Sequence, residues 1–118
     1  MKILVIDDEK PVRDILVMTL QTLGGHVVLE ADNGAKWIEV LQQYPDIDLA
    51  IFDLEMPGAT GFEVLQHMVE SGHPARRILM SAKMTPDMEE EARAKGAECG
   101  IYKPYLIKIL STMGLIGK

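Results

Sequence analysis

The chain has 118 residues, of which 47% are hydrophobic, and a formal net charge of −6. This length predicts one domain, residues 1–118, that buries about two-thirds of its unfolded surface. The single cysteine excludes an intrachain disulfide framework and gives no zinc-binding spacing, and the acidic balance argues against a nucleic-acid surface. No apolar run approaches the roughly 20 residues that span a bilayer, and the start is too quickly acidic for a signal peptide. We therefore expect a cytoplasmic domain that contacts neither a membrane nor nucleic acid directly.

Five short apolar runs rich in β-branched residues predict strands, and each is followed by a helical pattern. The strands are expected at residues 3–6, 26–31, 49–52, 77–80 and 99–102. The third run, Leu49-Ala50-Ile51-Phe52, has apolar residues on both faces, which is typical of a parallel strand covered on both sides. It ends at a carboxylate, Asp53, and a turn at Met56-Pro57-Gly58 follows.

Turn and cap residues separate these strands from the helices. Pro11 suits the first turn of the first helix, and Gly24-Gly25 suits its end. Asp32-Asn33-Gly34 predicts a turn and cap before the second helix, while Thr85-Pro86 predicts the N-cap and first residue of the fourth. The last helix is expected to fray at Gly114. The apolar residues at helical spacing are Val12, Ile15, Leu16, Leu20 and Leu23, then Ala35, Ile38 and Leu41, then Leu65, Met68 and Val69, and last Leu106, Ile109, Leu110 and Met113.

Strict alternation of strands and helices predicts a doubly wound α/β fold, with a parallel sheet, helices on both faces and right-handed crossovers. Ligands bind such sheets outside the carboxyl ends of the strands. The polar residues predicted at those ends are Asp7, Asp8, Asp53, Ser81 and Lys103.

These five residues predict a magnesium site that takes part in phosphoryl transfer. Neighbouring carboxylates resist ionising together unless a cation lies among them, and carboxylate oxygens with water suit Mg²⁺. A hydroxyl and an ammonium facing the acids suit phosphoryl transfer, because Ser81 can donate a hydrogen bond while Lys103 and the metal neutralise phosphoryl oxygens. Asp53 is then the candidate for an aspartyl-phosphate.

The motifs Asp7-Asp8, Asp53-Leu54-Glu55-Met56-Pro57-Gly58, Ser81-Ala82 and Lys103-Pro104 occur in this order along the whole chain. Together they resemble the receiver domain of bacterial two-component response regulators, of the chemotaxis-regulator kind. The resemblance implies a flavodoxin-like (βα)5 fold with sheet order 2-1-3-4-5. It also implies a signalling domain rather than an enzyme, one that assists its own phosphorylation and dephosphorylation.

The resemblance implies roles for the site residues. Asp53 would accept a phosphoryl group from a phosphohistidine on a sensor histidine kinase or a histidine phosphotransfer protein. Asp8, Asp53 and the backbone carbonyl of Glu55 would bind Mg²⁺, and Asp7 would act through water. Ser81 and Lys103 would hold the phosphoryl group. The Lys103-Pro104 bond would be cis.

The family's switch implies that phosphorylation reshapes a docking face made by the fourth helix, fifth strand and fifth helix, which binds a downstream protein. This chain departs from the family at Gly100, where an aromatic residue is usual, and at Thr60, where Asp is usual. Strand alternation puts Tyr102 on the same side as residue 100, so we hypothesise that Tyr102 takes over part of the aromatic's role. The Glu55 side chain is expected to affect dephosphorylation.

Other functions are compatible with parts of the pattern. A constitutive interaction module with the receiver fold is favoured mildly by Gly100. A haloacid-dehalogenase-like phosphatase also uses Asp, Lys and Mg²⁺, but it places its nucleophile after the first strand, with a second Asp two residues on. A flavin-binding module needs a phosphate-cradling loop where this chain is acidic. A chain of 118 residues has no room for an effector domain, so its output is protein binding or onward phosphoryl transfer unless it belongs to a longer protein.

Overall fold

The computed structural model describes residues 1–32 and 36–117, so the predicted Asn33-Gly34 turn and Ala35 lie outside it. Within the described residues a single sheet contains five parallel strands in the order β2-β1-β3-β4-β5. This confirms the predicted fold class and strand order. The strands are β1 (Lys2–Ile6), β2 (Val27–Ala31), β3 (Leu49–Asp53), β4 (Arg76–Ser81) and β5 (Cys99–Tyr102).

A helix follows each strand, and a 3₁₀ turn over Lys103–Tyr105 precedes the last one. Thr85 caps the fourth helix as predicted, since its Oγ1 accepts the backbone N–H of Met88 at 3.2 Å. Gly25 ends the first helix in the left-handed conformation, with φ of 66°. None of the helices among the described residues is long and apolar enough to cross a membrane. The helices are α1 (Lys10–Gly24), α2 (Lys36–Gln43), α3 (Gly61–Glu70), α4 (Pro86–Ala94) and α5 (Leu106–Thr112).

Two apolar clusters cover the two faces of the sheet. Alternate residues of β3 enter different clusters, with Leu49 and Ile51 on one face and Ala50 and Phe52 on the other. The first face packs against α1 and α5, and the second packs against α2, α3 and α4. Every residue of β3 is buried, so the strand that ends at Asp53 runs through the middle of the protein.

Three apolar positions predicted on helical stripes are exposed instead. Ile15 and Leu23 of α1 are both 56% exposed, and Val69 of α3 is 46% exposed. The buried stripes contain Val17 and Val64, which are next to the predicted residues Leu16 and Leu65. A helix buries a stripe only about 100° wide, so a residue one step beyond its edge faces solvent whatever its polarity.

The expectation of a frayed end after α5 is wrong for residues 115–117. Leu115 and Ile116 are 5% and 6% exposed and belong to the cluster on the α1 side of the sheet. The backbone N–H of Gly117 donates to the Leu23 carbonyl at 2.9 Å. Apolar burial against the end of α1 thus holds this segment in place.

The start of α3 packs directly on the end of β3. The Gly61 N–H donates to the Leu54 carbonyl at 2.8 Å, and a Cβ on Gly61 would lie 2.6 Å from the Asp53 carbonyl oxygen. Thr60, where the receiver pattern has Asp, still caps this helix because its Oγ1 accepts the N–H of Glu63 at 3.3 Å. The absence of a side chain at residue 61 therefore allows α3 to begin in direct contact with the end of β3.

We expect Gly61→Ala to lower the free energy of unfolding by about 1–3 kcal/mol, because the added methyl meets backbone atoms that have no room to move. Urea denaturation gives the measurement. Gly100→Ala is the matched control, since a Cβ there would meet the flexible end of Met84 at 2.8 Å. It should cost clearly less, and equal losses in the two variants would contradict the argument.

Candidate functional site

The predicted polar residues meet at one edge of the sheet. Asp53 and Ser81 are the last residues of β3 and β4, and Asp7 and Lys103 directly follow β1 and β5. The strands are parallel, so all four carboxyl ends open on the same side. β2 ends in Ala31 and is followed by Asp32, which is not one of the three clustered carboxylates described next.

Three carboxylates form a compact cluster at this edge. Asp7, Asp8 and Asp53 each offer an oxygen, and these oxygens lie within 4.8 Å of one another. Asp7 is fully buried and Asp53 is 3% exposed. Backbone N–H groups orient both, because Asp7 Oδ1 accepts from Glu9 at 2.9 Å and Asp53 Oδ1 accepts from Glu55 at 3.3 Å.

The Lys103 ammonium lies among the acids. Its Nζ is 2.9 Å from Asp7 Oδ2, 2.9 Å from Asp53 Oδ2 and 3.1 Å from Glu9 Oε1, and its side chain is 10% exposed. Burial by itself lowers the pKa of Lys103, but the close contacts with the three carboxylates outweigh this and raise the pKa overall. Burial also raises the pKa of Asp53, which the hydrogen bond from Lys103 opposes. The contact with Glu9 was not predicted.

The cluster has the composition of a divalent-cation site. One ammonium among the three clustered carboxylates leaves a net charge of −2 when all are ionised, because three negative charges meet one positive charge. Among the described residues, Asp7 Oδ2 is a buried oxygen with no hydrogen-bond partner, although it lies at ion-pair distance from Lys103. Oxygen ligands with this excess charge fit Mg²⁺.

The Ser81 hydroxyl has a partner that sequence reasoning missed. Ser81 is fully buried, and its Oγ is 2.6 Å from Glu55 Oε1 and 2.9 Å from Oε2. The same Oγ accepts the backbone N–H of Lys83 at 2.9 Å. In this conformation the hydroxyl proton is directed to Glu55 and not to Asp53. The signal in the sequence was an acidic residue two positions after the predicted acceptor.

The predicted cis bond before Pro104 is wrong, since no cis peptide bond occurs in the part of the chain that the structure describes. The trans form of an X–Pro bond is favoured by about 0.5–1 kcal/mol in the absence of other constraints. With the trans bond, Lys103 reaches both Asp7 and Asp53. A cis bond is therefore not needed to bring the Lys103 ammonium to these two carboxylates.

Met84 lies beside Gly100, where the receiver pattern has an aromatic ring. A Cβ on the buried Gly100 would lie 2.8 Å from Met84 Cε and 3.0 Å from its Sδ. Tyr102 is 39% exposed and packs edge-on against Tyr105, with ring centroids 5.3 Å apart. The side chain that fills the space at residue 100 therefore comes from the loop after β4, and sequence reasoning missed it.

Known proteins resemble this chain over nearly all its length. Residues 3–113 match the family model of the response regulator receiver domain. Sporulation initiation phosphotransferase F of Bacillus subtilis is 31% identical over 105 residues, which cover 88% of this chain and 82% of the relative. The chemotaxis protein CheY of Listeria monocytogenes is 30% identical over 107 residues, which cover 89% and 87%.

A longer relative and a solved structure extend the comparison. A probable transcriptional regulatory protein of Picosynechococcus is 32% identical over 123 residues, and this chain spans only 47% of its length. The signal receiver domain of a DNA-binding response regulator from Colwellia psychrerythraea has a TM-score of 0.84 at 26% identity, with 97% of this chain and 98% of that chain covered.

We expect 10 mM Mg²⁺ to raise the free energy of unfolding. With a Kd of about 1 mM, the increase is about 1.4 kcal/mol. Asp8→Asn should shrink this gain, because it removes a charged ligand, and should raise the metal-free stability by relieving repulsion. Urea denaturation with Mg²⁺ or with EDTA measures both effects. Asp14→Asn, on the exposed side of α1, is the control. An unchanged Mg²⁺ response in Asp8→Asn would show that the ion binds elsewhere.

Proposed function

The chain belongs to the response regulator receiver domain family, and we propose that Asp53 is its phosphoacceptor in a two-component phosphorelay. The observation that carries the proposal is the setting of this one carboxylate. Asp53 ends a fully buried strand, is 3% exposed and has its Oδ2 2.9 Å from the Lys103 ammonium. Two further acids, Asp7 and Asp8, offer oxygens within 4.8 Å.

The proposed donor is a phosphohistidine on a sensor histidine kinase or a histidine phosphotransfer protein. A carboxylate oxygen of Asp53 forms a bond to phosphorus while the P–N bond breaks, and the released imidazole takes up a proton. Lys103, 2.9 Å from Asp53, is the proposed cation that neutralises charge on the phosphoryl oxygens, and its raised pKa keeps it protonated. The histidine side chain is regenerated on the donor protein.

The residues that would hold Mg²⁺ are Asp8, Asp53 and the backbone carbonyl of Glu55, with Asp7 acting through water. The bound ion would supply further neutralisation of the phosphoryl oxygens. Asp7 and Asp53 are already oriented by backbone N–H groups, which supports their assignment to this set.

The proposed output is a change in the face made by α4, β5 and α5, which binds a downstream protein. Ser81, Gly100 and Tyr102 are the proposed switch residues, and Tyr102, Tyr105 and Ile107 are 39%, 59% and 41% exposed. The relatives are named as a phosphotransferase, a chemotaxis protein and transcriptional regulators, so this family serves several outputs. We propose that residues 1–118 form one cytoplasmic receiver domain. It acts in signalling and not as an enzyme on a separate substrate.

The other candidate functions are not favoured. A dehalogenase-like phosphatase has a second Asp two residues after its nucleophile, whereas here Asp7 and Asp8 are adjacent and Glu9 stands two residues after Asp7. The loop after β1 is acidic, which does not suit a flavin phosphate. The acids and Lys103 are assembled, which argues against a module that has lost phosphorylation.

We expect a small acyl phosphate with Mg²⁺ to add 80 Da to the intact protein, because the buried Asp53 carboxylate faces the Lys103 ammonium. Intact-mass spectrometry measures the adduct, which should resist acid and be lost in base. Asp53→Asn should abolish it. Asp87→Asn, on the first turn of α4, should keep it. An adduct retained in Asp53→Asn, or no adduct in the wild type, would contradict the proposal.

We expect Tyr102→Ala to weaken the response of the α4–β5–α5 face to a phosphoryl mimic, because Tyr102 is the aromatic residue of β5 on the side of Gly100. Two-dimensional amide NMR with and without beryllium fluoride reports the response at residues 86–94 and 99–112. Tyr105→Ala, which removes only the packing partner of Tyr102, is the control. If beryllium fluoride changes the amide chemical shifts of Tyr102→Ala as much as those of the wild type, the role belongs to another side chain.

A further inference from the structure

Both hydrogen-bonding directions of the Ser81 hydroxyl are in use. Ser81 is fully buried, its Oγ donates to the Glu55 carboxylate at 2.6 Å, and it accepts the Lys83 N–H at 2.9 Å. A serine hydroxyl has a single proton to donate. That proton therefore serves Glu55 and cannot at the same time serve a phosphoryl oxygen.

The two partners come from neighbouring strand ends. Glu55 lies two residues beyond β3, Ser81 ends β4, and these strands pair directly in the sheet. The Glu55 backbone N–H also donates to Asp53 Oδ1 at 3.3 Å. Glu55 is exposed while Asp53 and Ser81 are buried, so its side chain lies at the open side of the site and reaches inward to the hydroxyl.

We propose that Glu55 is a latch that holds the unphosphorylated conformation by occupying the Ser81 hydroxyl. The proposal rests on the function proposed for Asp53. A phosphoryl group on Asp53 is a second anionic acceptor for the same proton, and it places negative charge near the Glu55 carboxylate. Because one charge-assisted hydrogen bond is exchanged for another, the switch gains little from the new bond.

The latch has a direct consequence for the loop after β4. Lys83 donates its N–H to the Ser81 oxygen, and the next residue, Met84, lies beside Gly100. Movement of Ser81 away from Glu55 therefore requires this loop to adjust. Glu55 biases the position of the loop as well as that of the hydroxyl, and phosphorylation has to overcome both contacts.

The test measures the affinity of the protein for beryllium fluoride in the presence of Mg²⁺, by isothermal titration calorimetry. Glu55→Ala should bind this phosphoryl mimic at least fivefold more tightly than the wild type, because Ser81 is then free to bond it. Glu55→Gln should remain closer to the wild type, since its amide oxygen still accepts from the hydroxyl. Glu63→Ala, an exposed acid on α3, is the matched control and should have no effect.

A double-mutant comparison separates the latch from plain charge repulsion. In a Ser81→Ala background Glu55→Ala should increase the affinity for beryllium fluoride twofold or less. No hydroxyl then remains for which Glu55 and the mimic could compete. If Glu55→Ala increases the affinity for beryllium fluoride as much in this background as in the wild type, the effect is due to charge and the latch is overturned. The same holds if Glu55→Gln binds the mimic as tightly as Glu55→Ala does. Unchanged or weaker binding by Glu55→Ala would overturn it as well.

The outcomes also separate this proposal from the one it rests on. If the 80 Da adduct forms on Asp53 but the Glu55 variants bind the mimic as the wild type does, only the latch fails. If neither the adduct nor binding of the mimic is found in any variant that folds, as judged by circular dichroism, both proposals fail.

Discussion

The site depends on one electrostatic constraint, which is that several acids are buried around a single ammonium. Asp7 and Asp53 come from adjacent strands, and the charge of Lys103 offsets their repulsion from the far side of β4. Removing carboxylates from water is costly unless they are paired, so the fold needs this lysine or a metal ion at the same place. Such a group of acids can hold a cation, as proposed above for Mg²⁺. The buried acids are thus a local cost to the stability of the fold.

The rest of the fold holds this charge in place. β3 is buried on both faces, and its alternate side chains anchor it in two separate apolar clusters. The start of α3 contacts its last carbonyl at Gly61, where there is no room for a side chain. Such close packing limits the freedom of Asp53, which suits its proposed role as phosphoacceptor.

The sequence pattern predicted the strands and the grouping of Asp7, Asp8, Asp53 and Lys103, because parallel strands bring their carboxyl ends together whatever the details of packing. The strand order was implied only by the family resemblance. The sequence did not predict which side chains would bond to one another. Glu55 and Ser81 are 26 residues apart, and Glu9 and Lys103 are 94 apart. Their contacts depend on rotamers and loop paths that no local pattern encodes. The exposed Ile15 and Val69 were missed for a related reason, since apolar identity does not locate the edge of a buried stripe.

The contacts of Ser81 link the site to the residue where this chain departs from its family. Gly100 has no ring that could move, but the space beside it is filled by Met84, the residue directly after Lys83, whose N–H donates to Ser81. A Cβ at Gly100 would also lie 3.4 Å from the Glu89 Cα of α4, so this space is bounded by the loop, β5 and α4 together. Among the described residues, Met84 is therefore a side chain that connects the contacts of Ser81 with the α4–β5 surface. Methionine adapts to several packings at low cost, so we expect the hydrogen bond between Glu55 and Ser81, and not the packing of Met84, to oppose the proposed switch most.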